Sequence, residues 1–468
     1  MKLSLFLLVA ASLALWAGAA TRPHYGGVLR VETRSALGSL DPATLESKDG
    51  ATERVESLVF ETLVAFDDVG GLQPELASGW QHSADYKHWE LEIRAGVKLH
   101  NGQPLTSSVA AESLRRSLLA SGMKIFAESG HVTFENEAPM TNLLAELARP
   151  RNVIAARAAG GVLSGTGPFK LISETGAKIT LAANDDHWAG RPFLDGIEIA
   201  AGRAPRDQII DLELGNTDVT ELELDEVQQM QQLGERVAAS QPAELLAIVF
   251  TPGNGAGRDE RVRRALELSI DRAAICNVLL QRQGEPTAAL LPQWMTGYAF
   301  LFPSGRDLEQ AREQQLKMPS LILDYAFSDA TAKAVAERIA VNAREAGIVV
   351  QSVGENMAAR AGNGDAVITR VRLGSVDTRT ALENAAAVLG LQLPEELERA
   401  RTPEQLYRAE KAMLADHRII PIAHIPESYG LSGRVKNWAE NPAGEWRLED
   451  VWLSGAAEAA GATAQGRR

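Results

Sequence analysis

One segment near the middle of the chain constrains the fold more than any other. Ser320-Leu321-Ile322-Leu323-Asp324-Tyr325-Ala326 is a short apolar strand, and Ala332 to Ala346 has helical periodicity, with Val335, Ala336, Ile339 and Ala343 on one side. Gly347 stops that helix, and Ile348-Val349-Val350-Gln351-Ser352-Val353 reads as a second strand. A strand, a crossover helix and another strand form a right-handed parallel unit. The chain is therefore expected to be α/β, and its 468 residues suggest two or three domains.

The rest of the chain fits that class. Residues 26–32 read as a strand, and Asp49 precedes an amphipathic helix with Val55, Leu58, Val59, Thr62 and Leu63 on one face. Trp89 to Arg94 alternates strictly, as a half-buried strand does, and Asn101-Gly102 is a turn ahead of a helix near 107–119. Residues 121–160 are weakly patterned, with alanine-rich stretches that read as helix. Ile179 to Leu181, Gly196 to Ile199 and Glu244 to Phe250 are further strands. Asp259 caps a helix, and Thr402-Pro403-Glu404-Gln405 is a capping box before the helix that carries Leu406, Ala409, Met413 and Leu414. Ile419 to His424 returns as a strand.

The amino terminus has the form of an export signal. Lys2 precedes an apolar run from Leu3 to Trp16, and Ala17-Gly18-Ala19 is a small-x-small cleavage site. An uncleaved anchor is the competing expectation. The one cysteine, Cys276, excludes an intrachain disulfide and reads as a buried structural thiol. The net charge of -14 comes from interspersed acidic and basic residues, which argues against nucleic acid as a partner.

No motif for covalent chemistry stands out. The eight histidines lack metal-ligand spacing, so no metal site is expected. The glycine-rich stretch 161–170 lacks the Gly-Lys-Ser/Thr ending of a phosphate loop, and there is no Gly-x-Ser-x-Gly elbow. No catalytic residue and no cofactor are expected. The acidic stretch Glu221-Leu222-Glu223-Leu224-Asp225-Glu226 reads as a solvated face.

An ordered series of segments carries a family likeness. It runs Gly26-Gly27-Val28-Leu29-Arg30-Val31, Leu40-Asp41-Pro42-Ala43, Val59-Phe60-Glu61-Thr62-Leu63-Val64, Leu72-Gln73-Pro74-Glu75-Leu76-Ala77 and Ile93 to Thr106. Gly165-Thr166-Gly167-Pro168-Phe169, His187 to Ile197 and Asp259 to Arg272 continue it. The series resembles the family 5 extracellular solute-binding proteins, the peptide- and nickel-class receptors of ABC importers.

The resemblance implies a two-lobed periplasmic-binding-protein-like fold (type II, cluster C-like) with a reduced extra subdomain in lobe I, compressed between 110 and 164. The implied division is a signal peptide at 1–20, lobe I at 21–250 with its subdomain at about 46–164, lobe II at 251–422, a return to lobe I at 423–454, and a disordered tail at 455–468. Crossings between lobes are expected near 250–257 and 421–427. The role implied is capture of a small polar ligand, such as an oligopeptide, in the periplasm and delivery to an inner-membrane permease, with the chain a monomer. A receptor that senses or scaffolds without transport is the alternative.

The ligand site is expected between the lobes. Peptide-binding members carry a Trp-x-x-Asp-Tyr-x-Asp-Pro-like segment in lobe II, where an acidic residue holds an amino terminus. The matching stretch here, Thr369 to Arg379, keeps Asp377 but lacks the tryptophan and the Asp-Pro pair. Arg370, Arg372 and Arg379 would favour an anionic or polar group. Trp294, on a loop after a helix, and Thr33-Arg34-Ser35, beyond the first strand, are further candidates. Arg34, Trp294, Asp377 and Arg379 are expected to line one cavity.

Overall fold

The structure is a computed structural model, and it describes residues 22–42, 50–157, 163–253, 255–355 and 364–455. The expected export signal, and the expected tail beyond Gly455, lie outside the described residues.

The first lobe is built from strands β1 (Val28–Glu32), β2 (Ala77–His82), β3 (His88–Ile93), β4 (Lys124–Glu128), β5 (His131–Glu135), β6 (Phe169–Thr175), β7 (Lys178–Ala183), β8 (Gly196–Ala200) and β9 (Val219–Leu222). Its helices include α1 (Gly50–Val59), α2 (Ser107–Ser117) and α3 (Leu224–Gln232). Long strand β10 (Arg236–Phe250) leads into the second lobe, which holds α4 (Glu260–Ser269), β11 (Ser320–Ala326), α5 (Ala330–Glu345), β12 (Val349–Glu355), β13 (Ala366–Arg372), α6 (Thr378–Leu389) and α7 (Pro403–Met413). Strand β14 (Ile419–Leu431) returns to the first lobe.

One large mixed sheet runs through both lobes in the order β6-β7-β8-β1-β9-β14-β10-β13-β11-β12. Strands β11 and β12 pair parallel from Ser320 opposite Val349 to Ala326 opposite Glu355, with α5 packed against both. Val335, Ala336, Ile339 and Ala343 are buried on its inner side. Side-chain oxygens of Thr106, Asp259, Asp329 and Thr402 accept from first-turn amides of α2, α4, α5 and α7, which satisfies donors a helix start leaves open.

A second, four-stranded sheet, β2-β3-β5-β4, stands apart in the first lobe with α2 against it. Its core includes Trp89, Leu91, Leu114, Val132 and Phe134. The hairpin β4–β5 corrects the helical reading of 121–160 over Lys124–Glu135, while a short helix does form at Leu143–Leu147. Ser129-Gly130 turns the chain with both residues at positive φ, and the strands are five residues each, too short for period-two patterning to stand out.

Glycine is required where α1 ends. A Cβ on Gly165 would sit 2.1 Å from the Val59 carbonyl oxygen, and one on Gly167 within 2.7 Å of the Leu58 oxygen. The Gly167 amide donates to Val59 across the same contact. The Gly165–Pro168 turn therefore locks α1 onto the strand β6 that follows.

The lobes are joined by β10 and β14, which run side by side and change neighbours midway. The first part of β10 pairs with the last part of β14, and that part of β14 also pairs with β9 of the first lobe. From Glu244 to Phe250, β10 stays paired with β14 and gains β13 of the second lobe on its other side. The change of neighbour falls at 239–244, where the β10–β14 register shifts and Pro242 lies opposite Pro426. This corrects the expected crossing at 250–257. The described residues of that segment pack on the second lobe, with Gly257 against Phe250 and the Thr251 amide donating to the Asp365 carbonyl. The Gly-rich punctuation after the strand marks a turn within the second lobe, while the junction sits inside strand β10 itself.

Candidate functional site: an interlobe cleft lined by paired charges

Where β10 and β14 change neighbours, the two lobes enclose a cavity of about 1060 Å³. Arg34, Ser35, Arg54, Glu221 and Glu223 line it from the first lobe, and Glu244, Asp329, Arg370, Arg372 and Asn384 from the second. Pro426 to Tyr429, at the junction, form part of its wall. Strand ends place several of these groups: Arg34 follows β1, and Glu223 follows β9 as the N-cap of α3. Loops beyond the carboxyl ends of such strands are where open α/β sheets bind ligands.

The wall charges form a connected network. Arg34 donates to Glu223 and, at 2.6 Å, to Glu226, while its backbone amide reaches Glu221 at 2.7 Å. Arg54 is buried on α1 and bridges Glu427 at 2.7 Å and Glu221 at 3.0 Å, with its guanidinium over the Trp446 ring. From the other lobe, Arg370 reaches Glu223 at 3.0 Å and Asp329 at 2.8 Å, and Arg372 reaches Glu427 at 3.3 Å. Arg149 of the first lobe donates to Glu383 on α6 at 2.8 Å.

These neighbours set the protonation of the cleft. Burial by itself would raise Glu223, but Arg370 and Arg34 outweigh it and hold the carboxyl below its ordinary value. Burial likewise opposes the ionised form of Glu427, and Arg54 with Arg372 more than offsets it. Glu244 differs. Burial, with Glu427, Glu223 and Asp329 nearby, pushes it up to about 7 against the pull of Arg370. A smaller recess of about 130 Å³ opens off the cleft between Glu56, Glu61, Glu75 and Ser375; there burial and the Glu61 charge push Glu75 up to about 8.

The candidate residues divide between the cleft and its surroundings. Arg34 and Ser35 line the cavity. Thr33 is fully buried beside them and donates to the Ser35 carbonyl at 3.1 Å, so it shapes the loop. Trp294 packs into the core behind the junction and donates to the Pro242 carbonyl at 3.0 Å. Asp377 is the N-cap of α6, with its Oδ1 accepting from the Thr380 amide at 2.8 Å and hydroxyl at 2.7 Å. Arg379 pairs with Glu383 at 3.0 Å, one residue removed from Arg149. The expectation that Arg34, Trp294, Asp377 and Arg379 line one cavity is thus corrected: only Arg34 among the four lines the large cavity. The cause at Asp377 is local. An aspartate followed by a helical run satisfies its own helix start before it can face a cleft.

The acidic stretch 221–226 is a second correction. Glu221, Glu223 and Glu226 are largely buried and bonded to arginines, rather than a solvated face. Their sequence signal was the alternation Glu221-Leu222-Glu223-Leu224 at a strand end, which puts both glutamates on one side. Arg54 and Glu244 carried no such signal: Arg54 lies in the mixed stretch Glu53-Arg54-Val55-Glu56, and Glu244 interrupts an apolar strand.

Comparison with known proteins agrees with this architecture. Residues 71–387 match the family described as bacterial extracellular solute-binding proteins, family 5 middle. The uncharacterized protein YhjP of Bacillus subtilis is 33% identical over 178 residues, covering 36% of this chain and 30% of that protein. The nickel-binding periplasmic protein of Escherichia coli is 24% identical over 353 residues, covering 64% of this chain and 66% of its own length. These alignments thus span less than two thirds of either relative. The periplasmic binding protein DppA of Helicobacter pylori, solved with the peptide STSA, superposes with a TM-score of 0.78 at 19% identity, covering 92% of this chain and 99% of that one. With two lobes joined through paired strands and a family match over most of its length, the chain belongs to the family 5 bacterial extracellular solute-binding proteins.

Proposed function

We propose that this chain is the periplasmic substrate-binding component of an ABC importer, which captures a small polar solute between its lobes and delivers it to an inner-membrane permease. The observation that carries the reading is the interlobe cavity of about 1060 Å³, walled by charged groups from both lobes and placed at the junction of the two connecting strands. A solute there touches both lobes at once, so its binding energy favours the closed arrangement. Closure then presents a composite surface to the permease. The work is binding, with no covalent step.

The relatives support this reading without naming the solute. One is named for nickel and one is solved with a peptide, and both words describe those proteins. The export signal read at 1–20 fits a monomeric receptor released into the periplasm, and no helix among the described residues is long and apolar enough to cross a membrane. The test is mass spectrometry of small molecules released on denaturing gently purified protein. A defined polar solute, whose re-addition raises the melting temperature of the stripped protein, is expected. Protein that releases nothing and responds to no solute would overturn the reading.

A further inference from the structure

Building on the receptor reading above, we propose that Glu244 anchors a cationic group of the solute, an ammonium or a guanidinium. Arg34, Arg54, Arg370 and Arg372 each reach a carboxylate within 3.3 Å. An anionic solute would have to pull one of these arginines away from its partner, leaving a buried carboxylate without a counter-charge.

The carboxylates are not equally engaged. Glu221, Glu223, Asp329 and Glu427 each accept from an arginine within 3.0 Å. The Glu244 carboxylate accepts no hydrogen bond among the described residues, and its nearest cation is Arg370 Nη1 at 3.6 Å. It is therefore a wall carboxylate with bonding capacity left for a ligand, and it faces the cavity from β10.

Its surroundings specify the charge of that ligand. The ionisable groups acting on it are Arg370 on one side and Glu427, Glu223 and Asp329 on the other. Arg372, opposite Glu244 in the β10–β13 register, is held by Glu427 and by the Ala443 carbonyl. Carboxylates thus outnumber the arginine that serves Glu244, and burial with their repulsion holds it partly protonated near neutrality. A cation placed there relieves the repulsion and completes the pairing without breaking an existing bond. The location also suits closure. Glu244 lies two residues from Pro242 at the junction, so a group bound to it sits beside the Arg370–Glu223 contact that spans the two lobes.

The test uses matched probes on the full-length mature protein: L-arginine against its neutral isostere L-citrulline, L-lysine against Nε-acetyl-lysine, and glutarate as an anion, by calorimetry and melting temperature. Arginine or lysine is expected to bind at least tenfold more tightly than its neutral counterpart. Glu244→Gln should bring each ratio close to one, and Glu244→Asp should restore part of it. Below pH 7, binding of the cation should release a proton to the buffer, seen as an enthalpy that changes with buffer ionisation enthalpy, and the release should vanish in Glu244→Gln. Neutral or anionic probes binding as well as cations would overturn the proposal while leaving the receptor reading intact. Discrimination that survives Glu244→Gln would also overturn it. Failure of every probe, together with no solute released from purified protein, would overturn both.

Discussion

Arg370 of the second lobe donates to Glu223 of the first at 3.0 Å, across the mouth of the junction strands. Glu223 also takes Arg34 of its own lobe, so one carboxylate ties the lobes together. The same Arg370 serves Asp329 and stands 3.6 Å from Glu244. Removing it should therefore do more than break one contact. Arg370→Ala is expected to lower stability by about 3 kcal/mol, the scale for stranding a buried charge, and to enlarge the radius of gyration as the lobes part. Urea denaturation and small-angle scattering read the two effects. The sign with pH follows from Glu223, whose folded value lies below its ordinary one. Its contribution is present at neutral pH and is lost as pH falls below about 4.5 through the folded value.

Asp377 provides a direct check on where the site is not. Its carboxylate closes the start of α6 through Thr380. Asp377→Ala should cost about 1 kcal/mol, the usual worth of an N-cap, and leave solute affinity unchanged within twofold. Loss of binding without loss of stability would return Asp377 to the site.

The contrast between Asp377 and Glu244 shows what the sequence could convey. Local patterns were readable because their cause is local: the β11–α5–β12 unit, the capping box at Thr402 and the alternation at Trp89 each follow from neighbours within a few positions. The first loop of the cleft, Arg34-Ser35, was readable from its place after a strand. The charge network was not. Arg54 pairs with Glu427 across 373 positions, and nothing near Arg54 marks it as buried. The junction was hidden for a related reason. Pro242 and Pro426 each look like a local break, and only their pairing opposite one another shows that both strands change neighbours there.

The glycine turn after the first-lobe subdomain is a rigid feature that tolerates little. Gly165→Ala would drive a methyl to within 2.1 Å of the Val59 oxygen, a contact that requires backbone to move. A loss above about 3 kcal/mol is expected, at the upper end for overpacking, with the melting temperature as the readout. Gly190→Ala makes a fair control: its φ of 117° strains any side chain, yet no atom lies within 4 Å of the added Cβ. It should cost less than Gly165→Ala.

Glu410 makes stability depend on pH in a predictable direction. It is fully buried on α7, and its Oε1 accepts from the Leu290 amide at 2.6 Å and the Leu291 amide at 3.3 Å. Burial outweighs those bonds and pushes the carboxyl up to about 7, from 4.5. Between those values the native state keeps a proton that the unfolded chain has released. Stability must then fall as pH rises through that window, by about 3 kcal/mol for a shift of this size. Glu410→Gln stays neutral throughout and keeps an oxygen for Leu290. Relative to the parent it should gain stability from pH 5 to pH 8, with a shallower slope of urea midpoint against pH. Glu244 and Glu440, also raised to about 7, and Glu75, raised to about 8, supply the slope that remains, so the profile should flatten rather than vanish. An unchanged slope in Glu410→Gln would mean that Glu410 is ionised in the native state at pH 5, with its two amide bonds outweighing burial.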